Sequence, residues 1–139
     1  MPSHRANAHG TACEYHLAEK YDVRLVDEDG KRLDTSWYDG LKDGTPWEFK
    51  AAARRHADGQ PGNFKIYRKY HDRLQQQGGR YGFAVYRVRG RGTQILKTTT
   101  VRASKLPTLR WHGGGSHRES QQAKIAISSI FDSVETRSS

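Results

Sequence analysis

The sequence predicts an α/β domain, with helices flanking a mixed sheet in the order α-β-β-β-α-β-β before a tail. Apolar residues recur at helical spacing in two places, before residue 22 and after residue 63. Short alternating runs bounded by Gly and Asp fill the space between and after them. The 139 residues fit one domain with a modest core, and 10% aromatics favour packing over disorder despite an apolar fraction of 34%.

The elements follow in chain order. Residues 1–9 are polar and predict a loose start. Thr11 to Tyr21 predicts a helix, because Cys13, Leu17 and Tyr21 lie on one face with Ala18 beside them. Asp22 to Val26 alternates and predicts a strand, and Asp29-Gly30 a hairpin turn into an extended run from Lys31 to Gly40. Lys42-Asp43-Gly44-Thr45 predicts another turn, with Pro46 to Ala51 as the third strand. Residues 53–62, with Gly59, Pro61 and Gly62, predict a loop. Asn63 is placed as a helix cap, and Phe64, Tyr67, Tyr70 or His71, and Leu74 as the buried face of a helix ending at Gly78-Gly79. Arg80 to Val88 and Thr93 to Val101 predict two strands around a Gly90-Arg91-Gly92 turn. In the tail, Lys124 to Ile127 predicts a last strand and Ser128 to Phe131 a helical turn.

Composition narrows the functional classes. Lys and Arg number 24 against 15 Asp and Glu, a net charge of +9. The charge is uneven: residues 1–50 carry 7 basic and 10 acidic side chains, residues 51–139 carry 17 and 5. A basic region that also carries Tyr and Trp is the electrostatic footprint of nucleic-acid binding. A merely positive soluble surface, or contact with anionic lipid, is the alternative. No apolar run approaches the roughly 20 residues of a membrane span, and no signal-peptide pattern opens the sequence. Cys13 is the sole cysteine, so neither a disulfide framework nor a zinc ribbon is available. The expected location is cytoplasmic, associated with the nucleoid.

The acidic first third holds the sharpest feature. If Asp43-Gly44 forms a two-residue type I′ turn, Asp39 lies opposite Glu48 and Trp37 opposite Lys50. Asp39, Glu48 and Lys50 then share one face, while Trp47 and Phe49 point to the other, into the core. Directly opposed carboxylates have Cβ atoms about 5 Å apart, and their repulsion is roughly 3 kcal/mol at an effective dielectric of 20. Removing one of them is therefore expected to stabilise the metal-free fold. A hard divalent cation between them offsets the repulsion, and Mg²⁺ is held by one or two carboxylates plus substrate phosphates. Lys50 beside such an ion can orient or deprotonate a water, or stabilise the charge of a phosphoryl transition state. The alternative is an ordinary surface hairpin with a Glu–Lys pair.

This arrangement resembles the PD-(D/E)XK nuclease superfamily, whose signature is an acidic residue followed by (D/E)-x-K on the next strand. Here these are Asp39 and Glu48-Phe49-Lys50, with Tyr38 where the signature has proline. Within the superfamily the chain is most similar to archaeal Holliday junction resolvases, which carry a Gly followed four residues later by a helical Glu. Gly10 and Glu14 stand at that spacing, and a Gly-Gly before an apolar strand recurs as Gly78-Gly79 and Phe83-Ala84-Val85. The likeness covers about residues 8–90, and small restriction endonucleases share the same core.

The resemblance implies a restriction-endonuclease-like fold with a nuclease core over 10–103 and a basic, partly ordered extension over 104–139. It implies a Mg²⁺-dependent DNA endonuclease, with Mn²⁺ able to substitute, acting as a homodimer and leaving 5′-phosphate ends. Asp39, Glu48 and the Phe49 backbone carbonyl would bind the metal, Glu14 would complete its shell or hold a second ion, and Lys50 would position the water. Branched DNA is the first choice of substrate. The alternatives are sequence-specific restriction, a non-catalytic nucleic-acid binder and, more remotely, an RNA nuclease.

Several cations are candidates for DNA contact: Arg54 and Arg55 in the loop after Lys50, Arg68 and Lys69 on the second helix, Arg87, Arg89 and Arg91 at a strand end, and Arg110 and Arg118 in the tail. Lys65 joins Arg68 and Lys69 in a possible stripe along that helix, which reads equally as a solvated face. Gln77 and Tyr81 match a short Q-x-x-x-Y spacing of RecB-like nucleases. The seven histidines form no H-x-x-x-H zinc pair, and no Gly-rich loop with GK[ST] exists for a nucleotide.

Overall fold

The computed structural model describes residues 4–25 (backbone alone for 4–7), 38–56, 58–113 and 121–131. The first helix, α1, runs His4–Tyr21. Its start is seven residues earlier than apolar spacing indicates, so His4 to His9, expected to be loose, are helical. Polar residues carry no periodicity to read, yet they extend a helix that Cys13, Leu17 and Ala18 anchor by burial. Asp22 then adopts a positive φ of 57°, and the Val23 N–H bonds back to the Ala18 carbonyl at 2.8 Å, which ends the helix.

Three strands follow: β1 (Arg24–Leu25), β2 (Gly40–Lys42) and β3 (Thr45–Ala53). The Asp29-Gly30 turn, most of the Lys31–Gly40 run and Trp37 lie outside the described residues. The Asp43-Gly44 turn is as expected. Both residues have positive φ, 51° and 82°, the signature of type I′. The register also agrees, with Lys42 opposite Thr45, Leu41 opposite Pro46 and Gly40 opposite Trp47.

The chain then departs from expectation. Residues Asn63–Tyr67 form strand β4, and α2 covers only Arg68–Gln76. Phe64 and Ile66 are buried while Asn63, Lys65 and Tyr67 are exposed, a two-residue alternation that Phe64, Tyr67 and Leu74 also disguise as a helical face. Asn63 therefore caps no helix, and Lys65 does not share a helical stripe with Arg68 and Lys69. The partner of β4 is β7 (Gln122–Ala126), in an antiparallel two-stranded ribbon. α2 ends at the expected glycines: Gly78 has φ of 68°, and the Gly79 N–H donates to the Leu74 carbonyl at 2.7 Å. Strands β5 (Arg80–Arg89) and β6 (Gly92–Arg102) form the predicted hairpin, and a 3₁₀ turn (Ala103–Lys105) follows.

The main sheet has the order β1-β2-β3-β5-β6. Only β3 and β5 are parallel, and the β4–α2 segment makes the crossover between them. The observed order α-β-β-β-α-β, with β4 inserted before the second helix, is a mixed α/β fold of the restriction-endonuclease-like kind. Each face of the sheet has its own core. On one, Cys13, Leu17 and Ala18 of α1 pack on Trp47, Phe49 and Ala84. On the other, Phe64, Ile66, Leu74, Ile125 and Phe131 pack on Ala52, Tyr81, Phe83 and Val85. Ile125 and Phe131 bring the C-terminal segment into the second core. Residues 127–131 are helical, so the turn expected from Ser128 to Phe131 is present and takes in Ile127, which was expected in the last strand. Among the described residues no helix is long and apolar enough to cross a membrane.

Candidate active site

Strand alternation sets the site. Trp47 and Phe49 of β3 face α1, so Glu48 and Lys50 project to the opposite face, toward β4. That is the orientation the hairpin register predicts. In the parallel ladder Glu48 lies beside Tyr81 and Lys50 beside Phe83. The Lys50 Nζ is 3.6 Å from Glu48 Oε2, with side-chain exposures of 17% and 12%. The same ammonium lies 5.1 Å from the centre of the Tyr67 ring, a cation–π contact from the end of β4. Lys50 is thereby held between a carboxylate and an aromatic face, close to solvent.

Asp39 is placed differently from the simple hairpin expectation. The β2–β3 ladder ends at Gly40 opposite Trp47, and the Asp39 N–H donates to the Trp47 carbonyl at 2.7 Å. Trp47 thus faces two successive residues, the arrangement of a β-bulge. The bulge turns Asp39 out of the position opposite Glu48. Its Oδ2 instead accepts the Phe49 backbone N–H at 2.7 Å, and Asp39 is only 6% exposed. This bond replaces a ladder hydrogen bond at the point where β2 leaves β3. Extended backbone turns a residue's N–H and C=O to the same side, so the Phe49 carbonyl opens toward Asp39 as well.

The oxygen donors along this stretch are all hard: the Asp39 carboxylate bonded to the Phe49 N–H, the Phe49 carbonyl and the carboxylate of Glu48, the preceding residue on β3. That set fits Mg²⁺ or Mn²⁺ and not a soft metal. Glu14 is the remaining acidic candidate. It sits half-buried on α1, which packs on the Trp47–Phe49 face, and no three His, Cys, Asp or Glu side chains converge as a metal cluster among the described residues.

Beside the site lies a buried pair that sequence reasoning did not bring together. His71 Nδ1 and the Tyr81 hydroxyl are 2.9 Å apart, both buried, with their rings stacked. Burial pulls the His71 pKa down, and Asp72 opposes the shift. Burial also pushes the Tyr81 phenol well above its usual range, with Glu48 and then Asp72 adding to the effect. Tyr81 is therefore a neutral phenol beside Glu48, in the strand expected for it. Cys13 is a core thiol, with burial raising its pKa to about 11.

The candidate DNA-contacting cations separate into groups. Ala53 lies opposite Tyr86, and the Arg54 N–H donates to the Tyr86 carbonyl, so Arg54, Arg55, Arg87 and Arg89 share the C-terminal end of the parallel pair. All four side chains are exposed, as is Arg91 in the following turn. Arg55 bonds the Gly59 carbonyl at 3.0 Å, and Arg87 bonds Gln94 at 2.6 Å. Arg68 is bound to Gln121 and lies over the Trp111 ring, which ties the start of α2 to the C-terminal segment. Lys69 and Arg110 are exposed, and Arg118 lies outside the described residues.

Comparison with known proteins supplies the remaining finding. No curated protein and no solved structure matches the chain significantly. A family model described as the PD-(D/E)XK nuclease superfamily domain matches residues 1–132, which takes in both sheet faces, the Asp39 bulge and the Glu48-Phe49-Lys50 strand. On that match and this fold, the chain belongs to the PD-(D/E)XK nuclease superfamily and is, at that level, a nuclease.

Proposed function

We propose that the protein is a Mg²⁺-dependent endonuclease that hydrolyses phosphodiester bonds in branched DNA, as a Holliday junction resolvase does, and acts as a homodimer. The observation that carries the metal-dependent reading is the Asp39–Phe49 bond, which fixes a buried carboxylate where two strands part, beside Glu48 and Lys50. The branched substrate rests on the Gly10 and Glu14 spacing, and the dimer on the need to cut two strands.

Asp39, Glu48 and the Phe49 carbonyl would hold the ion, with Mn²⁺ able to replace Mg²⁺. Bound there, it would supply Lewis acidity toward the scissile phosphate and the attacking water. Lys50 orients the attacking water and offsets the negative charge that builds on the phosphoryl oxygens. Water adds to phosphorus as the bond to the 3′ oxygen breaks. That oxygen takes up a proton, leaving a 3′-hydroxyl and a 5′-phosphate. Tyr67 holds the Lys50 ammonium on one side and Glu48 on the other, so its reach is set before substrate arrives.

A gel cleavage assay tests this on a four-way junction, a linear duplex and single-stranded DNA, with Mg²⁺ or EDTA. Mg²⁺-dependent cutting of the junction, abolished in Glu48→Ala, is the expected result. Cutting of linear duplex at discrete sites would replace the branched substrate with a restriction-type one. Salt-sensitive binding without cutting, the same in both proteins, would overturn the enzymatic reading.

A further inference from the structure

The β4–β7 ribbon covers the second core with Phe64, Ile66, Ala123 and Ile125, so alternation turns its other residues outward. On β4 these are Asn63, Lys65 and Tyr67, and opposite them on β7 stand Ala126, Lys124 and Gln122. Lys65 and Lys124 are direct cross-strand partners, and both are exposed. Like charges directly opposite weaken a strand pair, so this position costs the ribbon stability. The next outward residue toward α2 is Tyr67, 40% exposed, whose ring the Lys50 ammonium touches. The outward face therefore runs from a lysine pair, through an exposed aromatic ring, to the candidate catalytic lysine.

We infer that this face is a guide for the DNA backbone: Lys65 and Lys124 hold phosphates flanking the scissile one, and Tyr67 stacks on the sugar or base between them and Lys50. The inference rests on the nuclease reading and adds to it the surface along which the strand enters. Charge complementarity selects the occupant, since a phosphodiester chain neutralises two lysines that otherwise repel. The ring gives a sequence-tolerant platform next to the cutting point. Neither Lys124 nor the pairing is legible as a binding feature in the sequence, because the ribbon joins segments far apart in the chain.

The test measures affinity of the full chain for a labelled four-way junction and a labelled linear duplex, in EDTA to prevent cutting, across a salt series. Each lost phosphate contact lowers the slope of log K against log salt by about 0.9 on duplex DNA. The Lys65→Gln, Lys124→Gln double variant is expected to lower it by roughly 2. Its melting temperature should equal or exceed the parent's, because the repulsion is gone, which separates lost binding from lost folding. Tyr67→Leu should weaken binding about tenfold with the slope unchanged, as removal of a neutral stacking contact does. Lys20→Gln, on α1 against Thr98 on the opposite layer, should change neither quantity. An unchanged slope in the double variant, with the parent binding DNA, overturns the guide and leaves the nuclease reading standing. A parent that neither binds nor cuts DNA overturns both.

Discussion

Asp39→Ala is the perturbation whose sign the structure reverses. From the sequence, Asp39 faces Glu48 squarely, and deleting it relieves roughly 3 kcal/mol of repulsion. In the structure Asp39 instead accepts the Phe49 N–H at 2.7 Å while almost wholly buried. A hydrogen bond to a charged acceptor contributes about 1.5–3 kcal/mol net, and a buried donor left without its partner loses that amount. Asp39→Ala should therefore destabilise the protein by about 2 kcal/mol. For a chain of this size each kcal/mol moves the melting temperature by about 3–4 °C, so the expected fall is roughly 6–8 °C. Asp39→Asn keeps a neutral acceptor in the same place and should lose about half as much. Both variants should lose Mg²⁺-dependent cutting, because both lose the charge. Urea and thermal unfolding in EDTA supply the stabilities, and single-turnover cleavage supplies the activity. An Asp39→Ala protein as stable as the parent, or more so, would refute the structural role and restore the opposed-carboxylate picture.

Three further predictions follow. Lys50→Ala should cut at least 10²-fold more slowly, the usual scale for a lost transition-state donor, while binding DNA within about twofold of the parent by anisotropy. Gly82→Ala should lower stability by about 1–3 kcal/mol in urea, since a Cβ there would stand 2.8 Å from a Phe49 ring carbon; it should slow cutting too, because Phe49 is the residue between Glu48 and Lys50. His71, whose pKa burial depresses, should make stability depend on pH. The unfolded chain takes up the proton first, so stability is full above about 6.5 and falls as pH drops toward the depressed folded value. His71→Gln should flatten that fall, measured by urea unfolding between pH 7.5 and 5.

How legible each part was depends on the range of the interactions that build it. The Asp43-Gly44 turn is local, and its dihedrals fix the β2–β3 register without help from the rest of the chain. Trp47 and Phe49 were correctly turned to the core and Glu48 with Lys50 to the other face for that reason. β4 failed the same treatment. Its five residues carry apolar side chains that satisfy both a strand and a helix period, and the arbiter is β7, some sixty residues downstream. Leu74, which belongs to a real helix, lent the wrong element its support. The bulge at Asp39 was illegible for a different cause: a single backbone bond to Trp47 decides it, and no side-chain pattern encodes that bond. Tyr67 could have been found from the outward positions of Asn63-Phe64-Lys65-Ile66-Tyr67, had alternation been preferred to helical spacing.

The bulge also bears on why this site sits where it does. A regular β2–β3 ladder would continue past Gly40, and its backbone would consume the Phe49 N–H and carbonyl. Divergence at Asp39 releases both groups, and a side-chain carboxylate takes the N–H back. The carbonyl is left facing the same opening. The proposed metal-binding face would thus arise from ending a strand pair early, and the residue that ends it is one of the proposed ligands. Stability and metal binding then compete for one carboxylate. Oδ2 is committed to the backbone, so the ion would draw on the remaining coordination of Asp39, on Glu48 and on the Phe49 carbonyl. An ion held by Glu48 would compete with Lys50 for that carboxylate, and the Tyr67 ring would remain to hold the lysine. Such competition would tie the lysine's position to metal occupancy.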